Sequence, residues 1–284
     1  MRGQERERDA LKWQIGVWNR ISDVYVREID ERFAPVVEAV IRRAGLGAGE
    51  SVLDLGTGTG AVAERAAEIV AAGGSSQRAD GSGQRAGGQV VGVDISPDML
   101  AVARERMADG GLVNVTLREG RGESIPAEDA TFDVVLSSLT LMYVIDRAAA
   151  AREIARVLRP GGRLIAAVWA GPDECDIVLF QQTAGRFAGP PPVPGVGPGA
   201  LADPTLFLQQ LADADMEAHV ESEILGFDFP DFPSAWTALA GVTTAHLSPD
   251  EQQEARGAVM DAMYPRGNAP RHFGNLTRFI IGRA

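Results

Sequence analysis

Three alternating glycines follow a short apolar run in the stretch Ser51–Gly60, which reads SVLDLGTGTG. Residues 52–55 are typical of a buried strand in a parallel sheet, and the alanine-rich stretch 61–72 has helical character. Glycine permits backbone turns that a Cβ would block, and it lets the backbone approach a ligand closely. A strand, a glycine loop and a helix start in this order predict a small-molecule cradle at the carboxyl end of a strand.

Two carboxylates indicate which charge that cradle favours. Asp54 lies two residues before the first glycine, and Asp94 closes the next predicted strand, Val90–Val93. A dinucleotide fingerprint has the spacing G-x-G-x-x-G and must accommodate a pyrophosphate, which Asp54 would repel. The spacing here is G-x-G-x-G, so we expect a cationic ligand without phosphate. A nicotinamide oxidoreductase is disfavoured on the same grounds.

Strands and helices alternate through the middle of the chain. Further strands are predicted at Val113–Leu117, Phe132–Leu136 and Arg163–Trp169, with helices at Ala148–Leu158 and Cys175–Phe187 between and after them. A helix that continues to about Met107 is predicted to begin with Ser96 as its N-cap and Pro97 at its first position. Such alternation implies right-handed crossovers and a parallel sheet covered by helices on both faces.

The two ends of the chain add to this α/β core. We expect a helical N-terminal segment at 1–45, a core at 46–226, a cap insertion at 227–272 and a final strand of the core at 273–284. A capping box at Ser248 and Glu251 predicts a helix over Ser248–Met263. The stretch Gly73–Gly88 is predicted to be a surface loop. The proline-rich stretch Gly189–Gly199 is neither helix nor central strand, so it indicates a loop beside the site or a connection between subregions.

Composition excludes several classes of function. The 284 residues carry a net charge of −12, which argues against non-specific binding to nucleic acid or to an anionic membrane. The single cysteine, Cys175, excludes an internal disulfide and a thiolate metal cluster. We therefore expect no metal and no nucleic acid. With no membrane-spanning apolar run and no signal-peptide pattern, the cytoplasm is the expected compartment, and a monomer or a homodimer the expected assembly.

Four sequence blocks resemble one known family. They are VLDLGTGTG, VVGVDISPDML, GESIPAEDATFDVVLSS and EIARVLRPGGRL, in that order within residues 50–170. This region resembles the class I S-adenosylmethionine-dependent methyltransferases, and most of all the small-molecule branch that includes the ubiquinone/menaquinone biosynthesis enzymes. The resemblance implies a Rossmann-like, seven-stranded, mostly parallel sheet. Its last strand is antiparallel, and Leu276–Ile281 would be that strand.

The resemblance also implies where S-adenosylmethionine would bind. The glycine loop would contact the methionine part, with Asp54 beside the ammonium and Ser138 nearby. Asp94 would bind the ribose hydroxyls, Ile95 and Met99 would flank the adenine, and Gly122 would meet the adenine edge. The full set of cofactor residues is Asp54, Gly56, Thr57, Gly58, Thr59, Gly60, Asp94, Ile95, Met99, Arg121, Gly122, Glu123 and Ser138.

Alternatives remain open at the two aspartates and at the adenine. Asp94 could instead be a helix N-cap or a surface carboxylate, and Asp54 a buried carboxylate bonded to the loop. In the family an aspartate commonly takes the adenine amino group, at the position where this chain has Arg121. Arginine has only donors, so it cannot accept from that amine. A backbone carbonyl or Glu123 would substitute, or the adenine would be held less tightly.

The acceptor of the methyl group is less well defined by the sequence. Methyl transfer needs alignment and exclusion of water more than it needs a base. The possible catalytic residues are Tyr143, His246 and His272, although each could instead be packed or at the surface. The predicted substrate pocket consists of Trp18, Tyr25, Tyr143, Trp169, Phe229 and Trp236. Its aromatic members could equally be core residues, of the N-terminal helices or of a small cap.

These observations predict an S-adenosylmethionine-dependent methyltransferase. Its acceptor would be a small, hydrophobic or aromatic molecule, methylated at O, C or N, of the kind found in secondary metabolism. The alternative is a protein of the same fold that binds or senses the cofactor and transfers no methyl group.

Overall fold

The computed structural model of the protein describes residues 2–71, 87–189 and 193–284. The strands are Ser51–Leu55 (β1), Gln89–Asp94 (β2), Val115–Glu119 (β3), Phe132–Ser138 (β4), Leu158–Trp169 (β5), Glu217–Phe229 (β6) and Arg271–Arg283 (β7). The helices are Arg2–Val24 (α1), Asp30–Ala44 (α2), Ala61–Ala71 (α3), Pro97–Asp109 (α4), Arg147–Val157 (α5), Asp176–Gly185 (α6), Thr205–Ala212 (α7), Phe232–Leu239 (α8), Gly241–Thr244 (α9) and Pro249–Met263 (α10). None of the helices formed by these residues combines the length and the hydropathy that a membrane span requires.

The strands form one seven-stranded sheet in the order β3-β2-β1-β4-β5-β7-β6. Neighbouring strands from β3 to β5 are parallel, whereas β7 runs antiparallel to both β5 and β6. This confirms the mostly parallel sheet and the reversed last strand. The order reverses direction beside β1, where the chain crosses from one half of the sheet to the other. Ligands of open α/β sheets bind at the carboxyl ends of strands at such a point.

The central strands are buried because helices cover both faces. Four of the five residues of β1 are inaccessible to solvent, and so are four consecutive residues of β4. Such strands carry apolar residues on both faces, which explains the continuous apolar runs in the sequence. The predicted N-cap of α4 is confirmed, since the Ser96 hydroxyl accepts from the Met99 amide at 3.1 Å. The capping box of α10 is confirmed as well.

The N-terminal segment is a nearly continuous helix with one irregular turn. α1 passes through a π-helical turn at Tyr25–Ile29 and continues as α2. Such turns place an extra residue in the helix and are frequent at functional sites. α2 ends at Gly45, whose φ of +53° is the left-handed conformation typical of a helix C-cap. The turn divides this segment into α1, which contacts α4, and α2, which packs on the sheet.

Several strands differ in extent from the sequence prediction. β5 begins at Leu158 rather than Arg163, and β7 covers Arg271–Arg283 rather than Leu276–Ile281. β3 begins at Val115 rather than Val113, because Val113 is 97% exposed and Asn114 is held by hydrogen bonds to Ala67 and Gly88 outside the strand. β6 extends to Phe229, so Phe227 and Phe229, predicted to belong to the cap insertion, are strand residues. They stay in the strand because Phe227 is in register with Phe273 of β7, against which both rings pack. The predicted loop Gly73–Gly88 lies, except for its last two residues, outside the described residues.

Candidate active site

A cavity opens at the carboxyl ends of β1, β2 and β4, directly above the glycine loop. The empty space, open solvent at its mouth included, is about 780 Å³. Nine of the thirteen predicted cofactor residues line it: Gly56, Gly58, Asp94, Ile95, Met99, Arg121, Gly122, Glu123 and Ser138. The remaining four, Asp54, Thr57, Thr59 and Gly60, do not, and each contacts other parts of the protein instead. We call this space the first cavity.

The glycine loop is fixed against β2 by its backbone. The amides of Gly56 and Thr57 both donate to the carbonyl of Val93, at 2.8 and 2.9 Å. Gly56 has a φ of +75°, and a Cβ at this position would come within 2.1 Å of the Thr140 hydroxyl oxygen. Gly58 also has a positive φ, and a Cβ there would have no protein atom within 4 Å. The first glycine is therefore required by packing, while the second leaves open space at the cavity surface.

Asp94 links the loop to the start of α4. One carboxylate oxygen accepts from the Gly58 amide and the other from the Ser96 amide, both at 2.9 Å. Each carboxylate oxygen has two acceptor sites, so both can accept one further hydrogen bond from a ligand in the cavity. Burial raises the pKa of the Asp94 carboxyl, and the backbone amides oppose that effect. Asp94 is thus a rigidly placed carboxylate in the wall of the cavity.

Asp54 lies beneath the loop and does not reach the cavity surface. It is 1% exposed and accepts from the Thr57 hydroxyl at 2.7 Å. Burial raises the pKa of Asp54 to about 7, with the charge of Asp94 adding to the shift and the bond from Thr57 opposing it. Asp54 therefore stabilises the loop from within and lies behind the lining of the cavity.

Thr59 and Gly60 face the helices rather than the cavity. The Thr59 hydroxyl, predicted to contact the cofactor, donates to Asp30 of α2 at 2.7 Å. The second oxygen of Asp30 pairs with Arg106 of α4. A Cβ on Gly60 would meet Met107 at 2.9 Å, so this glycine serves helix packing. Asp30 is a positioning residue that the sequence prediction missed, because nothing in the local pattern of α2 distinguishes it from a surface carboxylate.

The loop after β3, which the family resemblance predicts to meet the adenine, forms one side of the first cavity. Gly120, Arg121, Gly122 and Glu123 all line it. The Glu123 oxygen Oε1 accepts from the amides of Ile145 and Asp146, at 3.0 and 3.3 Å. Glu123 thereby ties this loop to the segment that precedes α5. Glu123 also lines the cavity, beside Arg121, which stands where the family commonly has an aspartate.

A second cavity adjoins the first and is lined mainly by apolar and aromatic side chains. It encloses about 590 Å³ with its opening. Four residues line both cavities and form a shared wall: Trp18, Tyr25, Leu139 and Tyr143. Trp18 and Tyr143 pack edge to face with ring centroids 4.9 Å apart, and the Phe33 ring packs in the same way on Trp169, at 5.6 Å. Pro198, from the proline-rich loop, also lines this cavity.

Four of the six predicted substrate-pocket residues line the second cavity, and two do not. Trp18, Tyr25, Tyr143 and Trp169 line it. Phe229 is fully buried against Phe273, whereas Trp236 is half-buried and packs on Phe180, and neither of them lines a cavity. The pairing of β6 with β7 places the Phe229 side chain in the core. The position of Trp236 on α8 places its indole against Phe180 of α6.

The titratable groups of the shared wall are the two tyrosine phenols. Burial raises the pKa of both, and for Tyr25 the nearby charge of Asp30 raises it further. Both phenols are therefore protonated at neutral pH, so they can donate a hydrogen bond but cannot act as phenolate bases. His246 and His272 are exposed, and His272 pairs with Asp228 at 2.9 Å on the far part of the sheet. Neither histidine lines either cavity.

Several lining residues were not predicted. Leu11 and Gln14 of α1 line the first cavity, and the Gln14 amide donates to the Tyr143 carbonyl at 2.7 Å. Leu139 has a φ of +58°, an uncommon value for a side chain of its size and one that concentrates at functional sites. The sequence offered no signal for these residues, apart from the position of Leu139 just after a strand end.

Comparison with known sequences agrees with this geometry. Residues 46–180 match a family model described as a methyltransferase domain. The ubiquinone/menaquinone biosynthesis C-methyltransferase UbiE of Hahella chejuensis is 30% identical over 165 residues, 58% of each chain. The protein Rv1405c of Mycobacterium tuberculosis is 30% identical over 145 residues, which cover 51% of this chain and 46% of that one. The chain thus spans about half the length of the curated relatives it matches.

Solved structures share the fold. The protein YcgJ of Bacillus subtilis superposes with a TM-score of 0.61 at 19% identity, covering 87% of this chain and 97% of that one. The [4+2]-cyclase SpnF superposes with a TM-score of 0.54 at 21% identity, covering 88% of this chain and 79% of that one. The domain model, the sheet order and the cavity at the glycine loop agree. Residues 46–180, slightly less than half of the chain, are a class I S-adenosylmethionine-dependent methyltransferase domain.

Proposed function

We propose that this protein transfers a methyl group from S-adenosylmethionine to a small, hydrophobic, aromatic acceptor. The observation that carries the proposal is the pair of adjoining cavities. The first lies at the strand ends, where the family binds its cofactor, and the second is a mainly apolar space that shares the wall of Trp18, Tyr25, Leu139 and Tyr143. An acceptor in the second cavity would meet the cofactor at that wall.

The residues of the first cavity fit the cofactor. Asp94 has acceptor capacity left for the ribose hydroxyls, and the open space at Gly58 lets a ligand approach the loop backbone. Ile95 and Met99 supply an apolar surface for the adenine. Carboxylates at and behind the wall favour a positive charge. When bound, the cofactor supplies a methyl group on a sulfonium, which a nucleophile can displace directly.

The lining of the second cavity supports a reaction without a protein base. Among the described residues, the titratable side chains lining it are Tyr25 and Tyr143, and burial raises the pKa of both phenols. The acceptor would therefore arrive already ionised, or lose its proton elsewhere. Its walls would act by aligning the acceptor with the sulfonium and by excluding water. Aromatic side chains favour a planar apolar acceptor.

The named activity of the relatives supports the same class of acceptor. UbiE is named for a C-methylation in ubiquinone and menaquinone biosynthesis. Since the similarity covers about half of each chain, it supports an aromatic or quinone-like molecule as a class and identifies no single compound.

The test is transfer of tritium from S-[methyl-³H]adenosylmethionine to a panel of phenols, hydroquinones and aromatic amines. We expect labelled product from at least one ionisable aromatic acceptor, and at least about tenfold less from the same acceptor with Asp94→Ala at low cofactor concentration. Tight binding of S-adenosylhomocysteine without transfer to any acceptor would contradict the proposal and favour a binding or sensing protein. Thermal stabilisation by NAD but not by S-adenosylhomocysteine would contradict the cofactor assignment as well.

A further inference from the structure

The second cavity contains one amide side chain, Gln181 of α6. Gln181 is 5% exposed and lines the second cavity but not the first. Its Nε2 donates to the backbone carbonyl of Leu239 at 2.6 Å. A carbonyl oxygen can only accept, so this bond fixes the orientation of the amide and assigns the other terminal atom as the oxygen Oε1.

The oxygen of this amide has no donor within the protein as described. No group in residues 2–71, 87–189 and 193–284 donates to Gln181 Oε1. The neighbouring side chains of the cavity wall, Ile177, Ala238 and Leu239, are hydrocarbon and have none to offer. A buried acceptor without a donor is unfavourable, and a ligand that supplies one recovers that loss.

We propose that Gln181 accepts a hydrogen bond from an O–H or N–H group of the methyl acceptor. This inference rests on the proposed function, since it assumes that the acceptor occupies the second cavity. Gln181 lines the second cavity only and is not part of the wall shared with the first, where the methyl group would be transferred. The donor group is therefore distinct from the methylated atom. The acceptor is a planar apolar molecule with at least two functional positions, such as a dihydroxy- or amino-hydroxy-arene.

Such a contact determines specificity more than rate. A site built to hydrogen-bond a ligand discriminates against an analogue of equal size that lacks the donor, because the buried group is then left without a partner. For one neutral hydrogen bond the discrimination is about fivefold in affinity.

The experiment compares two probes of similar shape, 2-naphthol and 2-methylnaphthalene, with S-adenosylhomocysteine present at saturation. Dissociation constants are measured by fluorescence for the wild-type protein and for Gln181→Met, which keeps the volume and removes the amide. We expect the wild-type protein to prefer 2-naphthol about fivefold. The variant should lose this preference or reverse it, because its pocket leaves the buried hydroxyl of 2-naphthol without an acceptor.

Two further variants separate recognition from folding. Gln181→Glu keeps an acceptor oxygen and is expected to retain the preference. Thr183→Val removes another buried side-chain oxygen without a described donor, on the same helix but outside both cavities, and it should leave the preference unchanged. If Gln181→Met fails to fold, the other two variants decide. The proposal is contradicted if Thr183→Val loses the preference for 2-naphthol, or if Gln181→Glu does not show that preference.

An unchanged preference in Gln181→Met would overturn the inference, and so would a wild-type protein that binds neither probe. Titration with S-adenosylhomocysteine alone reports separately on the proposed function. A protein that binds this product but does not discriminate between the probes contradicts the role of Gln181 only. A protein that does not bind it contradicts the proposed function itself.

Discussion

The two cavities are built from the chain in different ways. Most of the first comes from short segments at strand ends, each of which has a recognisable local sequence. The second draws on α1, the π-helical turn, the end of β5, α6, the proline-rich loop and the α8–α9 corner. Its walls come from segments far apart in the sequence and consist of ordinary apolar residues. Under the proposed function, a cofactor common to the family would bind at local sequence motifs, whereas the acceptor would be recognised by side chains that only the packing of distant segments brings together.

The largest effect is expected at the packed glycine of the first cavity. Gly56→Ala should lower the free energy of unfolding by about 2–5 kcal/mol, from the left-handed backbone and the clash with Thr140 together. S-adenosylhomocysteine binding should be lost. The measurement is urea denaturation with calorimetric titration.

Gly161→Ala is the control for this change. Its φ is +79°, but a Cβ there would meet nothing within 4 Å. It should therefore show the cost of the backbone alone and keep its affinity for S-adenosylhomocysteine. Equal losses of stability in the two variants would contradict the packing role of Gly56.

A smaller effect, confined to binding, is expected at Asp94. Asp94→Ala should weaken S-adenosylhomocysteine binding at least about tenfold, since hydrogen bonds to a charged group contribute roughly 1.5–3 kcal/mol. Affinity for 2-naphthol should change less than twofold, which would show that the cavities are energetically separate. Calorimetry measures both. Asp98→Ala, the same change at an exposed position four residues on, is the control, and matching losses in the two variants would refute the assignment.

A substitution that fills the second cavity is expected to weaken 2-naphthol binding and to leave S-adenosylhomocysteine binding nearly unchanged. Val242→Trp should weaken 2-naphthol binding by about tenfold, because the added indole occupies the space of the ligand. S-adenosylhomocysteine affinity should stay within about twofold. Leu206→Trp adds an aromatic ring at a position that is 71% exposed and should change neither affinity. Parallel losses of both ligands in Val242→Trp would mean that the two spaces act as one site.

The smallest effect concerns the buried carboxyl beneath the loop. The pKa of Asp54 is raised to about 7, so the folded state favours its protonated form. Protonated Asp54 therefore stabilises the folded protein. This stabilisation is complete below the pKa of the aspartate in the unfolded chain, near 4, and is lost as the pH rises through the folded pKa of about 7. Relative to Asp54→Asn, the wild-type protein should lose on the order of 1 kcal/mol of stability between pH 5.5 and 8.

Chemical denaturation at the two pH values measures this difference. Asp98→Asn, at an exposed carboxyl, is the control and should show no such change relative to the wild type. The raised pKa of Asp54 would be contradicted if the difference in unfolding free energy between the wild-type protein and Asp54→Asn did not depend on pH.

The sequence by itself determined the sheet, the glycine loop and the carboxylate at the end of β2. Each is encoded within a few neighbouring residues: apolar runs for the strands, glycines for the turn, and Asp94 followed by the helix start at Ser96. Local backbone preference and burial act at this range, so a linear pattern is enough to reveal them.

Only the tertiary structure decided which side chains line the two cavities. It placed Asp54 and Thr59 behind the loop, because their hydrogen-bond partners Thr57 and Asp30 lie there. It placed Phe229 in the core, because β6 pairs with β7 as far as this residue. It also brought Tyr25, Trp169 and Gln181 to one cavity from three separate elements. Contacts between distant segments depend on how helices pack on the sheet, and no local pattern in the chain records that.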